Sequence, residues 1–176
     1  MNGVSLAQVQ SAIRDIPDFP KPGIIFKDIT PVLADAALFG WVIDSLAAKA
    51  GQAHPDKIVG IDARGFLFGA AVAYKLRCGF VPIRKKGKLP HRCVSYAYEL
   101  EYGSAQMEMH VDGVRPGERV VLVDDLLATG GTSGAALHLV RETGGNVQAA
   151  LFFIELAFLK GRERLLGVPV QALIRY

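Results

Sequence analysis

The spacing of apolar residues along the chain predicts strands that alternate with helices. Lys57 to Ile61 and Val120 to Val123 are nearly continuous apolar runs, which are typical of strands buried on both faces of a sheet. Ala34 to Ala50 repeats apolar residues at helical spacing and stops at Gly51. Further predicted elements are helices over Leu6 to Ile13 and from the turn at 62–65 to about Arg77, strands over Phe80 to Ile83 and Val147 to Ile154, and a helix around Ala135 to Val140. We therefore expect an α/β fold with a mostly parallel sheet flanked by helices.

Two segments depart from this alternation. Val94 to Glu101 and Ala105 to Val111 change between apolar and polar residues with a period of two, and Tyr102-Gly103-Ser104 joins them, which predicts a β-hairpin. Asp18 to Pro31 is rich in Pro and Gly, and we expect it to form an ordered loop or an extended arm.

Composition and charge narrow the classes of protein that fit. The chain has 176 residues, of which 51% are hydrophobic and 21% charged, as expected for one globular domain with a substantial core. Its net charge of +3 is mild, and basic residues concentrate between Arg84 and Arg92. A local basic cluster fits a small polyanion better than a nucleic acid, which usually requires a broader basic face.

Secretion and membrane insertion are not indicated by the sequence. The N-terminus lacks the basic region and apolar run of a signal peptide, and the apolar stretch Val147 to Leu159 is too short to span a bilayer. Cys78 and Cys93 are too few for a disulfide framework or a metal site, so we interpret them as ordinary thiols. We expect a cytoplasmic protein without a membrane or nucleic-acid partner.

The apolar run at Val120 to Val123 leads into the segment with the clearest chemistry. Asp124 and Asp125 follow it, and then come a turn rich in Gly and Thr and the start of a helix. The N–H groups of such a turn and of a first helical turn are free to bind a phosphate. The adjacent carboxylates cannot bind that phosphate, but they can accept hydrogen bonds from hydroxyl groups. A ribose 5-phosphate satisfies both halves of this site at once.

Other interpretations of this segment fit less well. Helix capping alone needs one Ser, Thr or Asp rather than the whole array. A nucleoside-triphosphate P-loop requires a Lys after its glycines, and no Lys lies between Asp125 and Arg141. The dinucleotide-binding pattern of three spaced glycines is absent from this segment as well.

Residues 121–132 resemble the phosphoribosyl diphosphate (PRPP) binding motif of the type I phosphoribosyltransferases. The resemblance implies that Asp124 and Asp125 hold the ribose 2- and 3-hydroxyl groups while the glycine turn wraps the 5-phosphate. The implied phosphate-binding residues are Ala128, Thr129, Gly130, Gly131 and Thr132.

The same resemblance implies a diphosphate site on two other loops. Arg64 lies in a turn directly after a predicted strand, where its guanidinium can grip a diphosphate with paired hydrogen bonds, and the family has its diphosphate loop at this point. Lys85 and Lys88 belong to a basic run that resembles the border of a mobile flap, over about 84–111, that closes over PRPP. We therefore assign all three cations to the diphosphate.

These loops are expected to lie close together. In open parallel sheets, ligands bind at the carboxyl ends of the strands. The loops that follow Ile61, Ile83 and Val123 all begin at such ends.

The transferred base is indicated by the flap. Enzymes of this family that act on 6-oxopurines usually carry an Asp where this chain has Ala128. Leu100-Glu101-Tyr102-Gly103 is similar to the flap motif of the adenine phosphoribosyltransferase family, in which the Glu is positioned to protonate adenine N7 as N9 attacks the anomeric carbon. Glu101 and Arg64 are thus the expected catalytic residues.

The Pro-rich arm supports the same assignment. Residues 19–31 resemble the hood of that family, in which an aromatic ring stacks on the purine. The resemblance implies that Phe26 is this ring, that the backbone at Ile25 and Lys27 reads the adenine edge, and that Leu156 covers the other face of the base. The expected organisation is one domain over 1–176, with a hood over about 1–33 and a core over about 34–176.

The implied activity converts adenine and PRPP into AMP and diphosphate, a reaction of purine salvage. Mg²⁺ is the expected cofactor, held mainly through PRPP and water rather than by a cage of protein ligands, and the resemblance also implies a homodimer. Two alternatives stay open: a phosphoribosyltransferase for hypoxanthine, guanine or orotate, and a non-catalytic regulator that binds PRPP.

Overall fold

The computed structural model describes residues 3–99 and 104–176. Two compact units can be distinguished, Met1–Ser45 and Leu46–Tyr176, and the division falls within one helix. The hood boundary expected near residue 33 stays a prediction. Within the described ranges, every helix is too short or too polar to cross a bilayer.

The first unit contains short helices and a small antiparallel ribbon. Its elements are α1 (Leu6–Ala12), β1 (Arg14–Pro17), β2 (Ile25–Asp28), α2 (Thr30–Ala34) and the first part of α3 (Ala36–Gly51). Helix α1 begins with a capping box, because Ser5 Oγ accepts a hydrogen bond from the N–H of Gln8 while the Ser5 N–H donates to Gln8 Oε1.

The predicted extended arm is therefore part of a β-hairpin. Strands β1 and β2 pair with Arg14 opposite Asp28 and Pro17 opposite Ile25. The Pro and Gly residues lie in the connection between the strands, where Asp18 Oδ1 accepts a hydrogen bond of 2.7 Å from the N–H of Gly23. The high Pro content hid the two short strands from a pattern-based prediction.

The second unit is built on a seven-stranded sheet in the order β5-β6-β4-β3-β7-β8-β9. The elements are β3 (Lys57–Ile61), α4 (Gly65–Leu76), β4 (Gly79–Lys85), β5 (Cys93–Glu99), β6 (Ser104–His110), β7 (Arg119–Leu127), α5 (Gly131–Glu142), β8 (Asn146–Glu155) and β9 (Val170–Arg175). Strands β4, β3, β7, β8 and β9 run parallel to one another, and β6 pairs antiparallel with both β4 and β5.

Helices cover both faces of this sheet. Successive residues of a strand point to opposite faces, so Phe152 and Phe153 of β8 mark its two sides. Phe152 belongs to a buried cluster with Ala135 and Leu139 of α5, whereas the ring centre of Phe153 lies 5.6 Å from that of Phe68 in α4. This arrangement confirms the predicted α/β fold with a mostly parallel sheet between helices.

Three sheet elements differ from the sequence prediction. Strand β7 continues past Val123 through Asp124 and Asp125 to Leu127. Its backbone pairs with β8 over this length, and backbone pairing does not depend on whether the side chains are charged or apolar. Strand β4 extends to Lys85, since Arg84 and Lys85 pair with β6. Strand β9 was not predicted at all, and it lies at the sheet edge with partly exposed residues and no clear period.

Candidate functional site

The connections that follow β3 and β7 lie side by side at the carboxyl ends of these two strands. The two strands are parallel neighbours, paired from Lys57 opposite Val120 to Gly60 opposite Val123. Their loops enclose a cleft of about 300 Å³. The cleft is lined by Asp62, Ala63, Arg64, Asp124, Asp125, Leu126, Ala128, Thr129, Gly130, Gly131, Thr132 and Ser133. All seven residues assigned to the ribose and the 5-phosphate, together with Arg64, therefore share one cleft.

The acidic pair lies at the floor of this cleft and is almost fully buried. Asp124 is 9% exposed and Asp125 is 6% exposed, and the N–H of Asp125 donates a hydrogen bond of 2.9 Å to Asp124 Oδ1. Burial, reinforced by the neighbouring charge of Asp125, raises the pKa of Asp124 well above its ordinary value. A ligand that brings hydroxyl donors would add hydrogen bonds to these carboxylates and so offset part of their desolvation.

Arg64 compensates part of this buried charge. Its Nη2 atom lies 2.7 Å from Asp125 Oδ2. Among the described residues, Asp125 Oδ2 is the buried side-chain oxygen that lacks a well-aligned hydrogen bond. The contact between Arg64 and Asp125 is therefore mainly an ion pair. Burial still raises the pKa of Asp125, and the Arg64 charge opposes that shift. The guanidinium is one-third exposed and so also faces the solvent side of the cleft.

The loop at 128–132, which the sequence predicts to bind a phosphate and which is called the phosphate loop below, ends at the N-terminus of α5. Gly130 adopts φ of +80°, a conformation that suits glycine, and Gly131 begins the helix. The N–H groups at 131–133 have no acceptor within the helix and border the cleft, an arrangement that favours an anion. This loop can therefore hold a phosphate with backbone groups alone.

The loop rests directly on a segment that the sequence did not single out. A Cβ atom added at Gly130 would collide with the carbonyl group of Gly161, and one added at Gly161 would collide with the carbonyl oxygen of Ala128. Gly161 begins a 3₁₀ turn over Gly161–Arg164. The two backbones thus approach more closely than any side chain would allow.

An ion pair between the buried Glu155 and the partly exposed Arg162 anchors this 3₁₀ turn. Glu155, at the end of β8, accepts hydrogen bonds of 2.6 and 2.7 Å from Arg162, and Arg175 lies 3.3 Å away. Arg162 also donates to the carbonyl oxygen of Val170. The hydrogen bonds from Arg162 hold the pKa of the Glu155 carboxyl below its ordinary value. No local spacing in the sequence signals this contact, because the partners meet across a turn and an unpredicted strand.

Strand β5 contributes a tyrosine to the loop. Tyr98 Oη lies 3.0 Å from Thr132 Oγ1, and the ring covers the backbone at Gly131, where an added Cβ would be 3.2 Å from Tyr98 Cδ2. Alternation along β5 puts Tyr98 on the same side as Val94 and Tyr96. That periodicity could have indicated a buried face, but not a partner in the phosphate loop.

The basic residues after β4 are arranged less simply than predicted. Arg84 Nε lies 3.1 Å from Asp62 Oδ2, and its Nη1 donates to the carbonyl oxygen of Lys88, so Arg84 links the turn after β3 to the basic loop after β4. Lys85 and Lys88 themselves are exposed and do not line the cleft in the described part of the chain. Their assignment to the diphosphate stays a prediction.

The residues assigned to the base fall in three places. Glu101 lies outside the described residues. Phe26 is half-buried with its ring edge-on to that of Phe19 at 5.2 Å, and Ile25 and Lys27 are its neighbours in β2. Leu156 directly follows β8, and its N–H donates to the carbonyl oxygen of Leu127. The roles assigned to these residues in binding adenine stay predictions.

Comparison with known proteins gives a consistent result. The phosphoribosyl transferase domain family matches residues 33–164. The adenine phosphoribosyltransferase of Bradyrhizobium sp. strain BTAi1 is 56% identical over 170 residues, which cover 96% of this chain and 95% of that protein.

Solved structures agree with this result. The adenine phosphoribosyltransferase of Thermoanaerobacter pseudethanolicus has a TM-score of 0.95 and 53% identity, covering 98% of this chain and 100% of the other. The Saccharomyces cerevisiae enzyme, complexed with D-2,5-dideoxy-2,5-imino-altritol 1,6-bisphosphate and adenine, has a TM-score of 0.89 and 41% identity, covering 96% and 97%. The chain thus belongs to the phosphoribosyltransferase family and, within it, to the adenine phosphoribosyltransferases.

Proposed function

We propose that this protein transfers the 5-phosphoribosyl group of PRPP to N9 of adenine, yielding AMP and diphosphate. The observation that carries the proposal is a single cleft that combines two buried carboxylates with the N-terminus of α5. The choice of adenine is supported by relatives that are 53% to 56% identical over nearly the whole chain. It is also supported by the yeast enzyme, which was solved with adenine bound.

The acidic pair binds the sugar and stabilises its transition state. Asp124 and Asp125 accept hydrogen bonds from the 2- and 3-hydroxyl groups of the ribose. As the bond between C1′ and the diphosphate oxygen breaks, the electron pair leaves with the diphosphate and positive charge develops on the ribose ring. Carboxylates held in a buried site stabilise such a charge more strongly than water does.

The 5-phosphate and the diphosphate of PRPP are bound by different means. The 5-phosphate lies against the backbone N–H groups that begin α5 and against the hydroxyl groups of Thr129 and Thr132. Arg64 neutralises the charge of the departing diphosphate, assisted by Lys85 and Lys88 from the basic loop. The sugar is thereby held at both ends while C1′ reacts.

Glu101 exchanges a proton with the base. When N9 of adenine attacks C1′, the ring must lose the proton that it carries on N7 in the attacking tautomer. In the direction of AMP formation a carboxylate near N7 accepts this proton, whereas the protonation of N7 expected from the resemblance belongs to the reverse reaction, in which the same carboxyl group returns the proton. Phe26 and Leu156 hold the purine ring, and the backbone at Ile25 and Lys27 discriminates adenine by its edge.

Magnesium fits this site as an ion that arrives with the substrate. In residues 3–99 and 104–176, no three His, Cys, Asp or Glu side chains form a group suited to a metal ion, and Asp125 already faces Arg64. Bound mainly to diphosphate oxygens and water, Mg²⁺ would lower the negative charge of PRPP and of the leaving group. The resemblance to the family also supports a homodimer in the cytoplasm.

The proposal is tested by measuring nucleotide formation from PRPP with adenine, hypoxanthine, guanine and orotate, each with Mg²⁺ and after chelation with EDTA. We expect a nucleotide product with adenine but not with the other three bases, and no product after chelation. Preference for another base would assign the protein to a different branch of the family. Tight PRPP binding without any product would instead favour a non-catalytic regulator.

The proposed proton exchange is tested with Glu101→Gln. This variant should lower kcat for AMP formation roughly 10²–10³-fold, the scale of a general acid or base, while PRPP still binds. Glu99→Gln is the matched control, because it removes a neighbouring carboxylate that has no assigned role. Equal effects of the two substitutions would remove Glu101 from the mechanism.

A further inference from the structure

The hydroxyl groups of Tyr98 and Thr132 join the flap to the phosphate loop. Their oxygen atoms are 3.0 Å apart, and both side chains are half-buried. The Tyr98 ring lies against the backbone at Gly131. Helix α5 also packs along β5, where the rings of Tyr96 and His138 stack at 3.9 Å. The contact is therefore part of a packed interface between these elements.

The direction of the hydrogen bond depends on what occupies the cleft. Each hydroxyl group can donate one hydrogen bond, since it carries one proton. A phosphate without protons can only accept, so Thr132 must donate its proton to the phosphate when the two are in contact. The Thr132 oxygen is then free to accept from Tyr98, and the two bonds strengthen each other in a chain.

We propose that Tyr98 is a positioning residue for the 5-phosphate, which couples occupancy of the phosphate loop to the position of β5. The proposal rests on the phosphate-binding role given to Thr132 in the proposed function. Coupling of this kind is reciprocal: a bound phosphate stabilises the contact of Tyr98 with the loop, and that contact orients the Thr132 hydroxyl group for binding.

The position of β5 matters because the chain continues from this strand to Glu101. Tyr98 precedes Glu101 by three residues, and β5 pairs with β6 in continuous register from Cys93 opposite His110 to Glu99 opposite Ser104. A hydrogen bond that holds Tyr98 therefore restrains the strand that leads into the Glu101 segment.

Tyr98→Phe separates this role from simple packing, because it keeps the ring against Gly131 and removes only the hydroxyl group. The expected result is a roughly five- to tenfold rise in KM for PRPP and in Kd for ribose 5-phosphate, the effect of one hydrogen bond, with KM for adenine unchanged. Tyr96→Phe, two residues away on the same side of β5, is the matched control and should leave all three constants unchanged.

A double-mutant cycle with Thr132→Val tests the coupling directly. If the hydroxyl groups act together, Tyr98→Phe should have less than about a twofold effect in the Thr132→Val background. An effect of equal size in both backgrounds, or no effect of Tyr98→Phe in either, would overturn the proposal.

Hydrogen exchange supplies a measurement that is independent of turnover. Addition of ribose 5-phosphate should slow amide exchange in β5 of the unmodified protein and of Tyr96→Phe, but much less in Tyr98→Phe. Equal protection in all three proteins would contradict the coupling. An unmodified protein that binds ribose 5-phosphate without making AMP would refute the proposed transferase activity, while the binding and exchange data would still decide the role of Tyr98.

Discussion

Asp124 and Asp125 occupy a position where carboxylates are costly to the folded protein. Both are buried, and desolvation is the main cause that raises the pKa of each. The partly exposed Arg64 offsets this cost mainly for Asp125, with which it forms an ion pair, and its charge acts more weakly on Asp124. A sugar that brings hydroxyl donors would relieve a destabilisation built into the unliganded state.

Asp124→Asn should therefore stabilise the protein while impairing its function. A carboxyl group whose pKa is raised on folding stabilises the native state below its ordinary pKa of 3.8, and this contribution is lost as the pH rises through the folded value. The free energy of unfolding of the variant should exceed that of the unmodified protein by an amount that grows as the pH rises above 3.8. Its affinity for PRPP should fall roughly 10–100-fold, the effect of a hydrogen bond to a charged group.

Urea denaturation at several pH values measures the free energy of unfolding. Asp56→Asn is the control, because its effect on stability should have the opposite sign. The hydrogen bonds from Arg119 lower the pKa of Asp56 to about 2, so its contribution is present above 3.8 and is lost as the pH falls toward 2. Asp56→Asn should reduce stability at neutral pH and leave PRPP affinity unchanged. Parallel stability curves for Asp124→Asn and the unmodified protein would show that burial of Asp124 has no such cost.

At the scale of elements, the phosphate loop depends on the 3₁₀ turn that supports it. The backbones at Gly130 and Gly161 touch, and the ion pair between Glu155 and Arg162 holds the turn in place. The backbone of the loop is thereby packed directly against the turn.

Gly161→Ala should damage both stability and phosphate binding. Its Cβ would collide with the Ala128 carbonyl oxygen and approach the Leu127 side chain, so the loop or the turn must shift. We expect a loss of about 1–3 kcal/mol in the free energy of unfolding, typical of overpacking, and a higher KM for PRPP. Gly40→Ala is the control: it lies within α3 with open space around its Cβ and should stabilise by roughly 0.5–1 kcal/mol. Equal stability of the two variants in urea denaturation would refute the close packing.

Glu155→Gln tests the anchor of the same turn. The substitution removes the charge from two short hydrogen bonds and should cost roughly 1–3 kcal/mol at neutral pH. Because the pKa of Glu155 is lowered in the folded protein, its contribution is present above the ordinary value of 4.5 and is lost as the pH falls through the folded value. The difference in stability should thus shrink in acid. Arg175→Gln should cost less, since that side chain is 63% exposed; an equal or larger cost would shift the anchor from Arg162 to Arg175.

At the scale of the whole molecule, much of the second unit can be predicted from local sequence patterns. The strand at Lys57–Ile61 has the predicted bounds, and the hairpin of β5 and β6 lies where the alternation indicated it. These segments could be predicted because a strand buried on both faces is a continuous apolar run, whereas a strand buried on one face alternates between apolar and polar residues. The cleft itself was predictable from turns placed at the ends of parallel strands.

The remainder depends on partners that are distant in sequence. The sequence around Glu155 does not indicate that Arg175 lies close to it in the fold. The partly exposed edge strand β9 has no regular alternation of apolar and polar residues. The extent of β7 beyond Val123 is decided by backbone pairing with β8, to which charged residues contribute as well as apolar ones. The contact of Tyr98 with Thr132 likewise requires the assembled sheet.

Binding of AMP should stabilise the whole molecule, because the cleft joins loops from neighbouring central strands. Ligand at about 100 times its Kd adds about 2.7 kcal/mol, which corresponds to a rise in Tm of about 5–10 °C for a chain of this size. Differential scanning calorimetry measures the shift, and Asp124→Asn should reduce it. Adenosine, which lacks the 5-phosphate, serves as the comparison, and an equal shift with adenosine would argue against phosphate binding at α5.

The contact between Gly130 and Gly161 has a practical meaning for protein engineering. A graft of residues 128–132 onto a foreign scaffold would lack the surface that shapes them, because the recipient would present a side chain where Gly161 allows the chains to touch. The graft would have to include residues 155–164 as well, so that the loop keeps the turn against which it packs. The unit of exchange between such enzymes is thus two separate stretches of chain rather than one contiguous motif.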